Sequence, residues 1–228
     1  MTDYTLAMEG STYAGSIALL RDGEVIAERT LTDSGIPTRD GRDERVLPSV
    51  AECLSEADVR VGEIARIVCG AGPGSFTSLR ISASVAKGIA VGVGCPMFPV
   101  PSLLLSAACV QGGLESGRYL SVLPAMRNEW FASLVECAED GTIDLRGETF
   151  IVLGTELGRA AAESDARLLG PGQAIEARPH ARGVSKLLGQ IISGGPVTIE
   201  TWEPDYGRLA EAQVRWEAAH GRPLVAGA

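Results

Sequence analysis

Histidine is almost missing from this chain. Its 228 residues contain two, His180 and His220, and neither stands in H-x-x-x-H or H-E-x-x-H spacing. That argues against a helix-borne metal site. Positive charge is also short: 20 Lys and Arg face 29 Asp and Glu, a net charge of -9 with a pI near 4.8. An autonomous nucleic-acid binder needs a basic face, so any such role has to come through a partner. Aromatic residues are 5% of the chain. The three tryptophans, Trp130, Trp202 and Trp216, have no concentration of basic neighbours and read as core or interface residues rather than a base-stacking platform.

No apolar run is long enough to span a bilayer, so no membrane partner is expected. The opening "MTDYTLAMEGS" has neither a basic n-region nor a long h-region, which predicts a chain without a signal peptide, in the cytoplasm. The five cysteines, Cys53, Cys69, Cys95, Cys109 and Cys137, are odd in number and form no C-x-x-C pair. Free buried thiols in a reducing compartment fit better than a disulfide frame or a zinc site.

What is present is an ordered series of short elements. Strands are expected at 4–9, 15–20 and 24–31, with "RDG" at 21–23 as a hairpin turn. "DERVLPSVAECLSEA", 43–57, reads as a helix. Its residues Val46, Leu47, Val50, Cys53, Leu54 and Ala57 recur at three- and four-residue steps, Pro48 is tolerated near the start, and Asp43 is the expected N-cap. The acidic groups of "RDGRDE", 39–44, read as a solvated loop. A buried strand at 64–70, a helix at 75–91, a strand at 96–100 and a helix at 101–110 follow. The second half predicts strands at 119–126, 130–138, 142–153 and 166–170, and helices at 154–163 and 184–193. An amphipathic helix over 204–221 stops at Gly221. The order implies a duplicated βββαβα unit, with no linker long enough to separate independent domains.

The stretch "CGAGPGSFTSLRISASVAKG", Cys69 to Gly88, carries the most chemistry-like pattern. It is not a P-loop, because no lysine follows Gly74 or Ser75 to hold phosphates. It is not a dinucleotide loop either, because Ser75 stands at the third glycine position and no acid follows about 20 residues on. Neither Ser11 nor Ser75 lies in a G-x-S-x-G elbow. Two readings of the loop remain. Gly72, Gly74 and Ser75, facing a second turn of Gly10, Ser11 and Thr12, form weak anion or nucleotide turns at a helix start; or both are tight turns capped by hydroxyls. The helix beyond carries a small-residue face, Ser75, Ser78, Ser82, Ala86 and Ile89, with Phe76, Leu79, Ala83 and Ala90 beside it. Such a face packs closely either on the protein's own sheet or on another chain's helix, where Arg80 and Lys87 would rim the contact.

"GPGSFTSLRISASVAKGIA", 72–90, resembles the signature of the bacterial TsaB (YeaZ) family. "LAMEGSTYAGSIALLRDGEVIAE", "ERVLPSVAECL", "MRNEWFASLVE" and "EPDYGRLAEAQVRWE" are similar to its opening meander, first helix, second-lobe hairpin and C-terminal segment. The resemblance implies an α/β, actin-like ATPase (ASKHA, RNase H-like) fold of two lobes, each built on a βββαβα-type unit. The first lobe would span 1–105, completed by a C-terminal helix at 205–228; a smaller, divergent second lobe would span 106–204. It further implies a non-catalytic subunit with no cofactor or metal of its own and at most weak nucleotide binding. Metal and nucleotide would belong to a TsaD-like catalytic partner. With a TsaE-like ATPase, the complex would transfer threonylcarbamoyl from threonylcarbamoyl-adenylate to adenosine 37 of ANN-decoding tRNAs, so tRNA is met only through the complex. The partner interface, and a homodimer when the chain is alone, would use the helices at 43–57 and 75–91, through Leu47, Val50, Leu54, Ser75, Ser78, Leu79, Ser82 and Ala86.

The chain departs from the family pattern at five positions. Glu9 stands for an Asp, Gly10 for a Thr, and Ser78 and Ser82 for two glycines; Arg42 stands where a histidine is common. A stand-alone actin-fold hydrolase or kinase, or a diverged homodimeric paralogue, are the other readings.

Overall fold

Three β-branched or leucine-rich segments with two-residue alternation begin the chain: β1 (Tyr4–Glu9), β2 (Ser16–Arg21) and β3 (Glu24–Thr30). The computed structural model describes residues 3–31, 45–207 and 220. Asp22 and Gly23 both take positive φ, 51° and 89°, the backbone twist that a two-residue hairpin needs. The three strands form an antiparallel meander. Helix α1 (Val46–Glu56) and the crossover that contains it return the chain to β4 (Ile64–Gly70), which lies parallel to β1. Helix α2 (Phe76–Val93) then leads to β5 (Met97–Val100), parallel to β4. The sheet order is β3-β2-β1-β4-β5.

A second unit repeats the plan with one strand fewer. After α3 (Ser102–Ala108), β6 (Gly117–Pro124), β7 (Glu129–Cys137) and β8 (Ile143–Leu153) form a meander. Helix α4 (Leu157–Glu163) leads to β9 (Arg167–Leu169), parallel to β6, in the order β8-β7-β6-β9. Helix α5 (Val184–Ser193) follows a single 3-10 turn at Ala181–Gly183. The duplicated unit inferred from element order is therefore present, and the fold is the actin-like ASKHA fold.

The side-chain period of two divides the first sheet cleanly. Leu6, Met8, Ile17, Leu19, Ile67 and Cys69 face α1 and α2, with Val46, Val50, Cys53, Ala83, Ala86 and Ala90. Ala7, Ala18, Leu20, Val68, Phe98 and Val100 face the other way, toward α3 and α5. That second core also takes Tyr119, Val135 and Cys137 from the second sheet, so one apolar layer joins both units. A buried leucine such as Leu79 or Leu105 contributes about 2 kcal/mol there.

Several boundaries differ from the sequence reading. Helix α2 runs on to Val93 and stops where Gly94 takes φ 75°, its N–H bonding Ala90 O at 2.8 Å. The first turn of the helix expected at 154–163 is a 3-10 turn, Gly154–Glu156. Residues 204–207 are not helical but form an irregular strap. The remainder of the expected terminal helix, apart from residue 220, lies outside the described residues, as do the 39–44 loop, Asp43 and Arg42.

Candidate functional site

Strands β1 and β4 are parallel neighbours, with Met8 opposite Cys69. Both therefore end at the same edge of the sheet, where open α/β sheets present their ligand sites. The two turns singled out in the sequence meet there. Ser75 N–H donates to Ser11 O at 2.7 Å, and a Cβ on Gly74 would stand 2.2 Å from that same oxygen. The turns do not merely face each other; their backbones touch, and only glycine at position 74 allows it.

The space behind them holds Glu9, the last residue of β1, which is 1% exposed. Its carboxylate accepts from Ser11 N–H at 2.5 Å and from Ser102 Oγ at 3.0 Å. Ser102 Oγ in turn accepts from Gly72 N–H at 3.2 Å. One acid thus ties the β1 turn, the glycine loop and the start of α3 together. Gly70 makes room for it, since a Cβ there would lie 2.2 Å from Glu9 Oε2. Burial pushes the Glu9 carboxyl above its ordinary range, while the bonds from Ser11, Ser102 and Gly10 oppose that rise.

The loop is also covered from outside. Asp205 N–H bonds Ala71 O at 2.8 Å, and Gly72, at φ 86°, would place a Cβ 2.0 Å from Asp205 O. The Tyr206 ring lies 4.6 Å from that of Phe76, and Gly207 packs on Phe131 of β7 and on Pro73. The strap thereby links the glycine loop to the second sheet.

These contacts bear directly on the anion turns. Gly10, Ser11, Thr12, Gly72, Gly74 and Ser75 are brought together as expected. However, the N–H groups of Ser11, Gly72 and Ser75 are already bonded within the chain, and a carboxylate sits behind them. A phosphate arriving here would find those donors taken and the space behind them filled. A cavity touching the turns, lined by Gly10, Tyr13, Ser78 and Ser82, measures about 20 Å³, room for no more than a water. Glu9 and Ser102 as a structural pair were missed in the sequence; the readable signal was an acid closing a buried strand just before glycine.

The helix residues are corrected in the same way. Leu79, Ser82, Ala86 and Val50 are buried within the chain, at 0%, 3%, 0% and 4% exposure. They pack on the sheet, and are not a surface a partner can reach. Ser82 is small because the Gly10 turn lies against it: a Cβ on Gly10 would be 2.4 Å from Ser82 Oγ and 2.7 Å from Ser78 O. Ser75 and Ser78 are half-buried, their hydroxyls 3.1 Å apart. Leu47 is 58% exposed, while Leu54 is half-buried against the same core. The outward face of α2 lies two residues further on, at Ser84, Gly88 and Val91, the last 66% exposed. Arg80 stacks on Phe76 and Lys87 on Trp202.

Among the described residues, no group of three or more His, Cys, Asp or Glu is placed to hold a metal ion, and no helix is long and apolar enough to cross a membrane. All five cysteines are free thiols, four of them buried. Burial raises the Cys53 thiol to about 11, so it is no nucleophile at neutral pH.

Comparison with known proteins places this geometry. A sequence model of the family described as "TsaD: tRNA N6-adenosine threonylcarbamoyltransferase" matches residues 36–178, well over half of the chain. The "tRNA threonylcarbamoyladenosine biosynthesis protein TsaB" of Haemophilus influenzae is 31% identical over 57% of this chain and 52% of its own. The chain thus spans about half the length of that curated relative. The Bacillus subtilis protein of the same name is 27% identical over 92% of this chain and 96% of its own. The solved structure "YeaZ from Pseudomonas aeruginosa" shares the fold, with a TM-score of 0.71 at 24% identity, covering 90% of this chain and 99% of that one. The chain belongs to the family of the matched TsaD model, and within it to the TsaB (YeaZ) group.

Proposed function

We propose that this chain works in tRNA threonylcarbamoyladenosine biosynthesis as an accessory subunit. It binds a TsaD-like catalytic subunit and supports transfer of threonylcarbamoyl from threonylcarbamoyl-adenylate to adenosine 37 of ANN-decoding tRNAs. A TsaE-like ATPase completes the system. The names of its relatives give the pathway. The observation that supports the accessory role is Glu9, whose fully buried carboxylate fills the space behind the two turns and is held there by Ser11 N–H and Ser102 Oγ. With that cleft occupied by its own acid, the chain contributes through its surface, not through a reaction of its own.

The surface we assign is the outer side of α1 and α2. Leu47 of α1 and Val91 of α2 are large apolar side chains left more than half exposed, and on α2 Val91 continues the exposed stripe of the small residues Ser84 and Gly88. Small residues let helices approach closely, and the apolar ones gain by losing water. The same side pairs two copies of the chain when the partner is absent. The acidic net charge fits a subunit that leaves the tRNA to its partner.

Reconstitution tests the proposal. Purified TsaD and TsaE from the same organism, with tRNA, threonylcarbamoyl-adenylate and ATP, should modify tRNA far faster when this chain is added. Modification at an unchanged rate, or modification by this chain alone, would reject the accessory role.

A further inference from the structure

On the opposite side of the first sheet from α1 and α2 lies a groove of about 690 Å³. Edge strand β3 gives one wall through Val25 and Glu28, the segment just after α3 gives Cys109 and Gln111, the 3-10 turn before α5 gives Arg182, and the first turn of α5 gives Lys186. This volume falls within the range of small-molecule sites. We propose that the groove binds a small organic carboxylate with an apolar body.

The charge pattern favours that class. In a chain of net charge -9, two cations converge on one concavity. Arg182 stands in the 3-10 turn and Lys186 in the first turn of α5, and both line the same groove. Arg182 makes a 3.3 Å contact with Glu28, both side chains well exposed, an arrangement that holds little energy and leaves most of the guanidinium fork open. Lys186 has no ion-pair partner among the described residues. The wall therefore carries one positive charge in excess, which matches a monoanion; Glu28 would repel a second negative charge. Val25 and the end of α3 offer an apolar floor for the rest of such a molecule.

Cys109 supplies the test, since it lines the groove and is the only cysteine that is not fully buried. Its thiol donates to His180 O and its pKa is raised by burial, so its alkylation is followed by intact mass at mildly alkaline pH with iodoacetamide, with phenylacetate as the probe and neutral phenylacetamide as the control. Phenylacetate is expected to slow alkylation about threefold or more at saturating concentration, and phenylacetamide to have no effect. Lys186→Gln and Arg182→Gln should abolish protection without moving the melting temperature, since both side chains are exposed. Equal protection by both compounds, protection by neither, or protection that persists in the double variant overturns the proposal. So does protection by an oligoglutamate peptide without protection by phenylacetate, which would point to a peptide site instead.

Discussion

Gly10 and Ser82 share one space: a Cβ added to Gly10 would lie 2.4 Å from Ser82 Oγ and 3.0 Å from Ser82 Cβ. These are two of the positions at which the chain departs from the TsaB pattern, one toward a smaller residue and one toward a larger. The structure makes them a compensating pair. Gly10→Ala alone should cost about 1–3 kcal/mol through overpacking. Adding Ser82→Gly should recover part of that loss but not all, because Ser78 O still lies 2.7 Å away. Urea unfolding of the four proteins in the cycle measures it, with an expected coupling of about 1 kcal/mol. Strict additivity would show that the two sites do not compete.

Glu9 makes stability depend on pH. Its folded carboxyl is raised by burial, so the folded state holds the proton more tightly than the unfolded one. Between the ordinary carboxylate value, about 4.3, and the raised value, stability falls as pH rises. Glu9→Gln has no such proton to lose. The melting temperature of the variant should gain on wild type as pH increases from about 4 to 7. A gap that stays constant would mean that Glu9 titrates normally.

His180 acts with the opposite sign. Its Nδ1 accepts the Arg182 N–H at 3.1 Å and its Nε2 lies 3.3 Å from Thr30 Oγ1. Burial, helped by the Arg182 charge and opposed by Glu28, holds the imidazole below its ordinary range. Its contribution is complete above about pH 6.5 and is lost as pH falls through the lower folded value. His180→Asn keeps an acceptor but cannot titrate, so thermal unfolding of this variant should lose part of the acid sensitivity. An unchanged pH profile would contradict that role.

Burial separates two kinds of substitution on the helices. Leu47→Asp and Val91→Asp change exposed side chains and should leave the melting temperature within a few degrees of wild type. Ser82→Trp forces a large ring into a site that is 3% exposed. It should unfold the chain, seen as loss of cooperative melting. A folded Ser82→Trp protein would place that residue outside the core.

Much of the fold was legible because alternation and short turns are local signals. β1, β2 and β3 fall almost where a period of two puts them, and the hairpin at Asp22 and Gly23 follows from turn chemistry. The helix face was less legible. Ser78, Ser82 and Ala86 mark a close approach, but smallness does not say what approaches; here it is the Gly10 turn of the same chain. Glu9 was visible as an acid in an odd place. Its role needed Ser102, which is 93 residues away in sequence, and no local pattern connects the two. The strap over Gly72 was hidden for the same reason: Pro204–Gly207 read as the start of a helix, and only tertiary contact with Ala71, Phe76 and Phe131 holds it in its irregular path.

The proposed docking of the α1–α2 face on a TsaD-like enzyme has a direct physical readout. Sedimentation velocity of the chain mixed with TsaD from the same organism tests it most directly. A defined heteromeric species should form with wild type and disappear with the folded Leu47→Asp/Val91→Asp variant. Failure of wild type to associate, or association undiminished in that variant, would contradict the account.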